Sequence, residues 1–303
     1  MRAMSHNSRT NSAGKVHGSK HNDRNFDTSK ADNINPDPER KNLYWNCYRA
    51  KEVTFEEVEL AYYKSAFGEM LDQINANYIK NRHPERCKTM EQLIKLRQYC
   101  PEETVMQIGK MEEHVDSDTF DACVDDFLMW QMNWSRDHGN PFQLLNTAKH
   151  FDEAVPHLQM RRVWKYEDED GILRIGQEKA LEAAGVPLPQ PDQPAGRRNN
   201  RKMTFDKIMR EKWLDICEER GIQIEREPVP DGRHNRDKEE MIRDKYNDLL
   251  KQCEALQRTL DGQVGKAELE KLEKRIKELE KFLQEHGLLE KWRMIEKQKD
   301  QEI

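Results

Sequence analysis

The ten residues His150-Phe-Asp-Glu-Ala-Val-Pro-His157-Leu-Gln159 hold two imidazoles, two carboxylates and an amide. Imidazole nitrogen together with amide or carboxylate oxygen is a donor set for a divalent metal. The stretch lies between two runs, Phe142–Lys149 and Leu158–Tyr166, that both read as strands. The six residues between His150 and His157 suffice for a hairpin connection. Paired strands put opposing residues about 5 Å apart. His157 and Gln159, two apart in extended chain, leave the same face. If His150 shares that face, both imidazoles and the amide converge, with Asp152 and Glu153 in the loop above. The plain alternative is a turn at Pro156-His157 with two surface histidines.

The chain has 303 residues, a net charge of −6, 35% hydrophobic and 36% charged residues. That is long enough for one sizeable domain with extensions, and too polar for a single uniform globule. The net charge gives no overall push toward nucleic acid, but residues 1–50 carry nine Lys/Arg against five Asp/Glu. Six scattered cysteines, without a CxxC pair, fit buried free thiols in a reducing compartment. No apolar run approaches the length of a membrane span and the N-terminus is polar, so a soluble, cytoplasmic protein is expected.

Residues 1–42 have almost no large apolar side chains and read as a polar leader. The pattern His-Asn-x-Arg occurs in it twice, as His6-Asn7-Ser8-Arg9 and His21-Asn22-Asp23-Arg24. A nucleophile or base followed by a guanidinium suits phosphate chemistry, because arginine binds two phosphate oxygens at once.

A core domain is expected over 43–230. Leu43–Tyr48 is an aromatic strand candidate, Thr54-Phe-Glu-Glu57 a capping box before a long helix, and Thr89-Met-Glu-Gln92 opens a second, shorter helix that stops before Pro101. Glu103–Ile108 reads as a strand, and Ser117 caps a helix ended by Gly139. Glu167–Gly171 turns into a strand at Ile172–Ile175, followed by a short helix at Gln177–Ala184. A proline-rich connector then delivers the basic run Arg197-Arg198-Asn199-Asn200-Arg201-Lys202, read as a solvated or a phosphate-contacting loop. A helix from Thr204 to Arg220 and a strand candidate at Ile222–Arg226 follow. Over 236–303, Ile242, Tyr246, Leu249, Cys253, Leu256 and Leu260, then Leu269, Leu272, Ile276, Leu279 and Leu283, recur at heptad spacing, broken by Gly262 and Gly265. This coiled-coil tail either folds back as a hairpin or pairs with another chain.

Taken together, His21-Asn-Asp-Arg24, Asn35-Pro36 with Leu43-Tyr-Trp-Asn46, and His150 through Gln159 resemble the Mob/Pre plasmid mobilisation and recombination relaxases, which belong to the His-hydrophobe-His endonucleases. The resemblance covers about residues 15–230. It implies an α+β fold, a mostly antiparallel sheet flanked by helices, with a helical coiled-coil extension. It further implies a Mn2+ or Mg2+ cofactor and an enzyme that nicks one DNA strand at a plasmid transfer origin and holds it covalently. Carried over by position, His150 and His157 are metal ligands, with Gln159 where the family has a third histidine. An amide oxygen there ligates more weakly than imidazole. His21 is the implied nucleophile, Tyr44 the older type of candidate, Glu153 lies beside the nucleophile, and Arg24 holds the phosphate. Asn22, Arg24, Arg161, Arg162, Arg197, Arg198, Arg201 and Lys202 are the expected contacts to single-stranded DNA, and the tail a means of self-association. The rival readings are a non-catalytic origin-binding protein on the same fold and a coiled-coil scaffold.

Overall fold

The two runs beside the histidines form the middle of a sheet. Strand β5 (Phe142–His150) pairs antiparallel with β6 (His157–Glu167), in a register that sets His150 opposite His157. On its other side β6 pairs with β3 (Glu102–Lys110), β3 pairs with β1 (Ala3–Ser8), and β5 pairs with β2 (Leu43–Asn46). The order is β1-β3-β6-β5-β2, with short strands β4 (Glu113–His114) on β3 and β7 (Leu173–Ile175) on β6. Every pairing is antiparallel. The fold is α+β, as expected. The computed structural model describes residues 1–11, 13–31, 34–35, 38–110, 113–226, 246–247, 249–253 and 266–285. The chain divides into two units, 1–227 and 228–303.

The expected capping box starts α1 (Phe55–Lys80): the Thr54 hydroxyl accepts from Glu57 N–H, and Glu57 accepts from Thr54 N–H. The expected second helix is only four residues long, α2 (Met90–Leu93), and Thr89 and Gln92 cap it as a further box. α3 (Ser117–Asp137) is capped by Asp116, not Ser117, and its exit passes through Gly139 at φ 76°, where glycine carries no Cβ penalty. α4 (Gln177–Ala183) is short. α5 (Arg201–Glu219) begins three residues before Thr204, because the Asn200 side chain accepts from Met203 N–H. Arg201 and Lys202 thus belong to a helical turn, not to a loop. Residues 222–226 form no strand. They run beside the chain start, where the Met1 amine donates to Gln223 O and Glu225 N–H donates to Met1 O.

The leader differs most from expectation. Ala3–Ser8 is an edge strand despite its polarity, because backbone pairing with β3 satisfies its amides without an apolar face. The first His-Asn-x-Arg copy sits there. Asn7 donates to Asp206 and accepts from the Thr104 hydroxyl, which gives that copy a structural role.

One sheet face carries Leu158, Met160 and Trp164 into a core with Phe120 and Phe127 of α3 and Phe205 and Trp213 of α5. On the other face, Leu145 and Val163 pack against Tyr63, Phe67 and Met70 of α1. The register slips between Leu144 and Asn146, which lets Leu144 and Leu145 serve opposite cores. The rest of that second face is polar: Asn146, Arg161, Gln159, His157 and His150.

Arg161 and Arg162, expected along a DNA path, are instead buried at 1% exposure each. Register sets them against the Glu-Glu pair of β3, Arg161 opposite Glu103 and Arg162 opposite Glu102. Arg161 donates to Glu59 of α1 at 2.6 Å and to Glu103 at 3.2 Å. Burial alone would lower its pKa, but the two carboxylates outweigh that and hold the guanidinium charged. Lys202 is buried against Glu102 and Asp206, and Arg201 is bound to Glu178 and Glu182. Of the expected DNA contacts in the basic run, Arg197 and Arg198 are exposed.

In the second unit, Leu249 and Cys253 pack against Leu272, Ile276 and Leu279 of α6 (Lys266–Glu285). The two described helical stretches thus meet through their heptad positions within one chain; a coiled coil is not shown. Ile242, Leu256, Leu260, Gly262 and Gly265 lie outside the described residues. Arg161→Met strands two buried carboxylates and should cost about 3–5 kcal/mol of the first unit's stability. Denaturant melting checks this: a midpoint close to wild type would show that the ion pairs do not hold the sheet to α1.

Candidate metal and nucleophile site

The polar part of the second face is roofed by the described residues of the leader, 17–31, 34–35 and 38–42, and the motif His21-Asn22-Asp23-Arg24 is the point of attachment. Asn22 is buried, its carbonyl accepting from His150 Nε2 at 2.9 Å and its amide donating to Glu103 at 3.0 Å. Asp23 accepts from Phe55 N–H at 2.7 Å, tying the motif to the first turn of α1. Asn22 is therefore a brace between sheet and roof, and its buried amide is not offered to DNA as expected.

Arg24 is also occupied. Its Nε and Nη2 reach Asp152 at 3.0 and 2.6 Å, Nη2 reaches Glu153 at 2.7 Å, and Nη1 reaches His21 Nε2 and His21 O, both at 3.1 Å. All five guanidinium protons have acceptors. Arg24 adopts φ 56°, an uncommon conformation that this clamp holds in place. The expected phosphate-holding arginine is thus a positioning group, and Asp152 is its main partner. Asp152 is further held by Asn42 at 2.7 Å.

The imidazoles are arranged by their backbone partners. A carbonyl only accepts, so His150 Nε2, facing Asn22 O, carries a proton. His157 Nδ1 faces Val155 O at 3.0 Å and carries one for the same reason. The remaining nitrogens, His150 Nδ1 and His157 Nε2, face each other at 3.1 Å. In the neutral rings both are lone pairs. Burial foremost, with the charges of His157 and Arg24, pushes the His150 pKa down to about 3; burial also lowers that of His157. A proton between the rings is therefore disfavoured, whereas a cation fits. Two donors at right angles on an ion about 2.1 Å away lie about 3 Å apart.

His21, His150, Glu153 and His157 each turn one ligand-type atom into a group spanning no more than 4.8 Å. His21 is the exposed member, with 44% of its side chain open, and its ring stacks on Phe26. Its Nε2 is 3.4 Å from Glu153 Oε1. Burial would raise the Glu153 pKa, but the hydrogen bond from His21 and the charges of His157 and Arg24 hold it well below the usual carboxylate range. Tyr44 lies with its ring centroid 6.4 Å from that of His150, its hydroxyl accepting from Asn42. Burial raises its pKa, which makes the phenolate harder to reach. Gln159 is two residues beyond His157 on the same face, with its Oε1 buried and lacking a hydrogen-bond partner.

The class this arrangement defines is an antiparallel α+β protein with paired strand histidines under a polar, histidine-bearing roof. No protein-family model and no curated protein matches the chain. It is similar to two solved structures of the MobM relaxase domain (MOBV; Mob_Pre), both with manganese and bound to oriT DNA of plasmid pMV158. Identity is 16% to each; TM-scores are 0.45 and 0.41, covering 80% and 78% of this chain and 98% and 95% of those chains.

Nitrogen NMR of the metal-free protein should find His150 protonated on Nε2 and neutral at pH 6, and neutral His157 protonated on Nδ1. Opposite tautomers, or a charged His150 at that pH, would contradict the lone-pair pairing.

Proposed function

We propose that the protein is a metal-dependent DNA relaxase, which nicks one strand at a plasmid transfer origin and retains the cut end covalently, serving mobilisation and site-specific plasmid recombination. The observation that carries this reading is the pair of facing lone pairs on His150 and His157 beside an exposed, carboxylate-flanked His21. His150 and His157, with Gln159, would hold Mn2+ or Mg2+, which when bound polarises a phosphate oxygen and offsets charge in the transition state.

The attacking nitrogen is His21 Nε2. Nε2 faces both the Arg24 donor at 3.1 Å and the Glu153 carboxylate at 3.4 Å; in the tautomer that accepts from Arg24, and does not donate to Glu153, Nε2 holds the lone pair and Nδ1 the proton. Attack on phosphorus forms an N–P bond and breaks the P–O3′ bond. The departing 3′ oxygen takes a proton from solvent, and loss of the Nδ1 proton returns the imidazole ring to neutrality, leaving the phosphoramidate with its single phosphoryl negative charge. The energy of the broken ester stays in the adduct, so the reverse reaction rejoins a strand without a nucleotide cofactor. Glu153 and Arg24 orient the ring. Tyr44 is the weaker candidate nucleophile, since Asn42 holds its hydroxyl and its pKa is raised. Arg197 and Arg198 are the members of the basic run left to meet phosphates. Binding to DNA through them should weaken with salt.

The test is a transfer-origin oligonucleotide incubated with the protein and manganese. A nicked strand attached to the protein, abolished by His21→Ala and retained by Tyr44→Phe, is the expected result. Binding without cleavage would favour an accessory DNA-binding protein on the same fold, and absence of salt-sensitive DNA binding would favour a scaffold.

A further inference from the structure

We infer that Cys123 on α3 and Cys217 on α5 are a redox-active dithiol, which hydrogen peroxide closes to a disulfide that ties the two helices together over the sheet. The inference stands apart from the proposed nicking activity and from the metal site.

α3 and α5 pack side by side as a ladder. Trp134 meets Phe205 with ring centroids 5.2 Å apart, Gln131 Nε2 reaches Met209 Sδ at 3.5 Å, and Phe127 meets Trp213 at 5.6 Å. Each rung steps one turn back along α3 and one turn forward along α5, so the helices are antiparallel and every rung lies on the same pair of faces. The next rung in the series is Cys123 with Cys217. Their thiols hydrogen-bond to each other, and both residues are fully buried in the core that holds Phe120, Val124 and Ile216.

A single buried thiol packs as a small apolar group, whereas two in contact can trade their protons for a sulfur–sulfur bond. The hydrogen bond from Cys217 lowers the pKa of Cys123 against the effect of burial, so Cys123 is the first to ionise. The way in is the end of α5. Cys217 lies in its last turn, before the Arg220 cap and Gly221 at φ 80°. An exposed ion pair, Arg220 with Asp126 at 2.6 Å, closes the surface there. Such pairs hold weakly and terminal turns fray, so a small solute reaches the thiols without unfolding of the sheet.

The Cys123 thiolate attacks one peroxide oxygen, the O–O bond breaks, and the other oxygen leaves and is protonated to water. The Cys217 thiol then attacks the resulting sulfenic sulfur, forming the S–S bond and releasing a second water. Two electrons pass from the sulfurs to the peroxide. The chain between the cysteines holds β5, β6 and both strand histidines, so the bond restricts the unfolded chain over that whole span.

Peroxide treatment of the full chain tests this, followed by alkylation of the remaining thiols in denaturant, non-reducing peptide mapping and thermal melting. A linked Cys123–Cys217 peptide is expected, with the melting midpoint raised by about 5–15 °C and restored by dithiothreitol. Cys217→Ala should lose both the peptide and the rise; if that variant does not fold, the wild-type map and melt decide. Cys123 and Cys217 still free after Cys47 and Cys87 have been oxidised would overturn the inference. So would a linked form that melts no higher than the reduced one.

Discussion

Two nitrogens that cannot both keep their lone pairs unshared govern this molecule. His150 and His157 each donate their one proton to a backbone carbonyl, of Asn22 and of Val155, and are left facing one another at 3.1 Å. Lone pairs so placed repel unless a positive charge lies between them, and burial makes the proton a poor choice. The strand register fixes the pair from below, because His150 and His157 are direct cross-strand partners. The roof fixes it from above, because the Asn22 carbonyl selects the tautomer of His150. Such outer hydrogen bonds orient metal-binding histidines and choose which nitrogen is free.

The same roof couples the site to the rest of the fold. Asn22 reaches Glu103, which Arg161 joins to Glu59 on α1; Asp23 meets the first turn of that helix. Arg24 locks the loop carrying Asp152 and Glu153 to the motif carrying His21. Buried charges of this kind contribute little net stability against apolar replacements but are costly to break singly. Here they hold a polar segment, with little apolar surface of its own, in one place over the histidines.

Much of the site was legible in the sequence, and the reasons differ by residue. Alternation around His150 and His157 gave the hairpin and the shared face, and the capping box at Thr54 gave the start of α1. The His-Asn-x-Arg motif at His21 showed which residues meet the strands, but not what each does. Asn22 and Arg24 read as phosphate contacts because amides and guanidinium groups bind phosphate. In the fold their donors are spent on Glu103, Asp152, Glu153 and His21. Arg161 and Arg162 misled for the same reason. The corrective signal was present as Glu102-Glu103, a carboxylate pair entering a strand that an antiparallel register can set against two arginines. Strand β1 was hidden because backbone pairing, not apolar alternation, holds it. The start of α5 was misplaced because Asn200 reads equally as loop or cap.

In the proposed function, His150 and His157 together bind a divalent ion while His21 stays outside its coordination and faces the phosphate. Pulsed electron paramagnetic resonance of Mn2+ bound to protein carrying nitrogen-15 histidine tests it most directly. Two imidazole couplings are expected, one lost in His150→Ala and the other in His157→Ala, with His21→Ala unchanged. No histidine coupling, or a third one that disappears with His21→Ala, would contradict it.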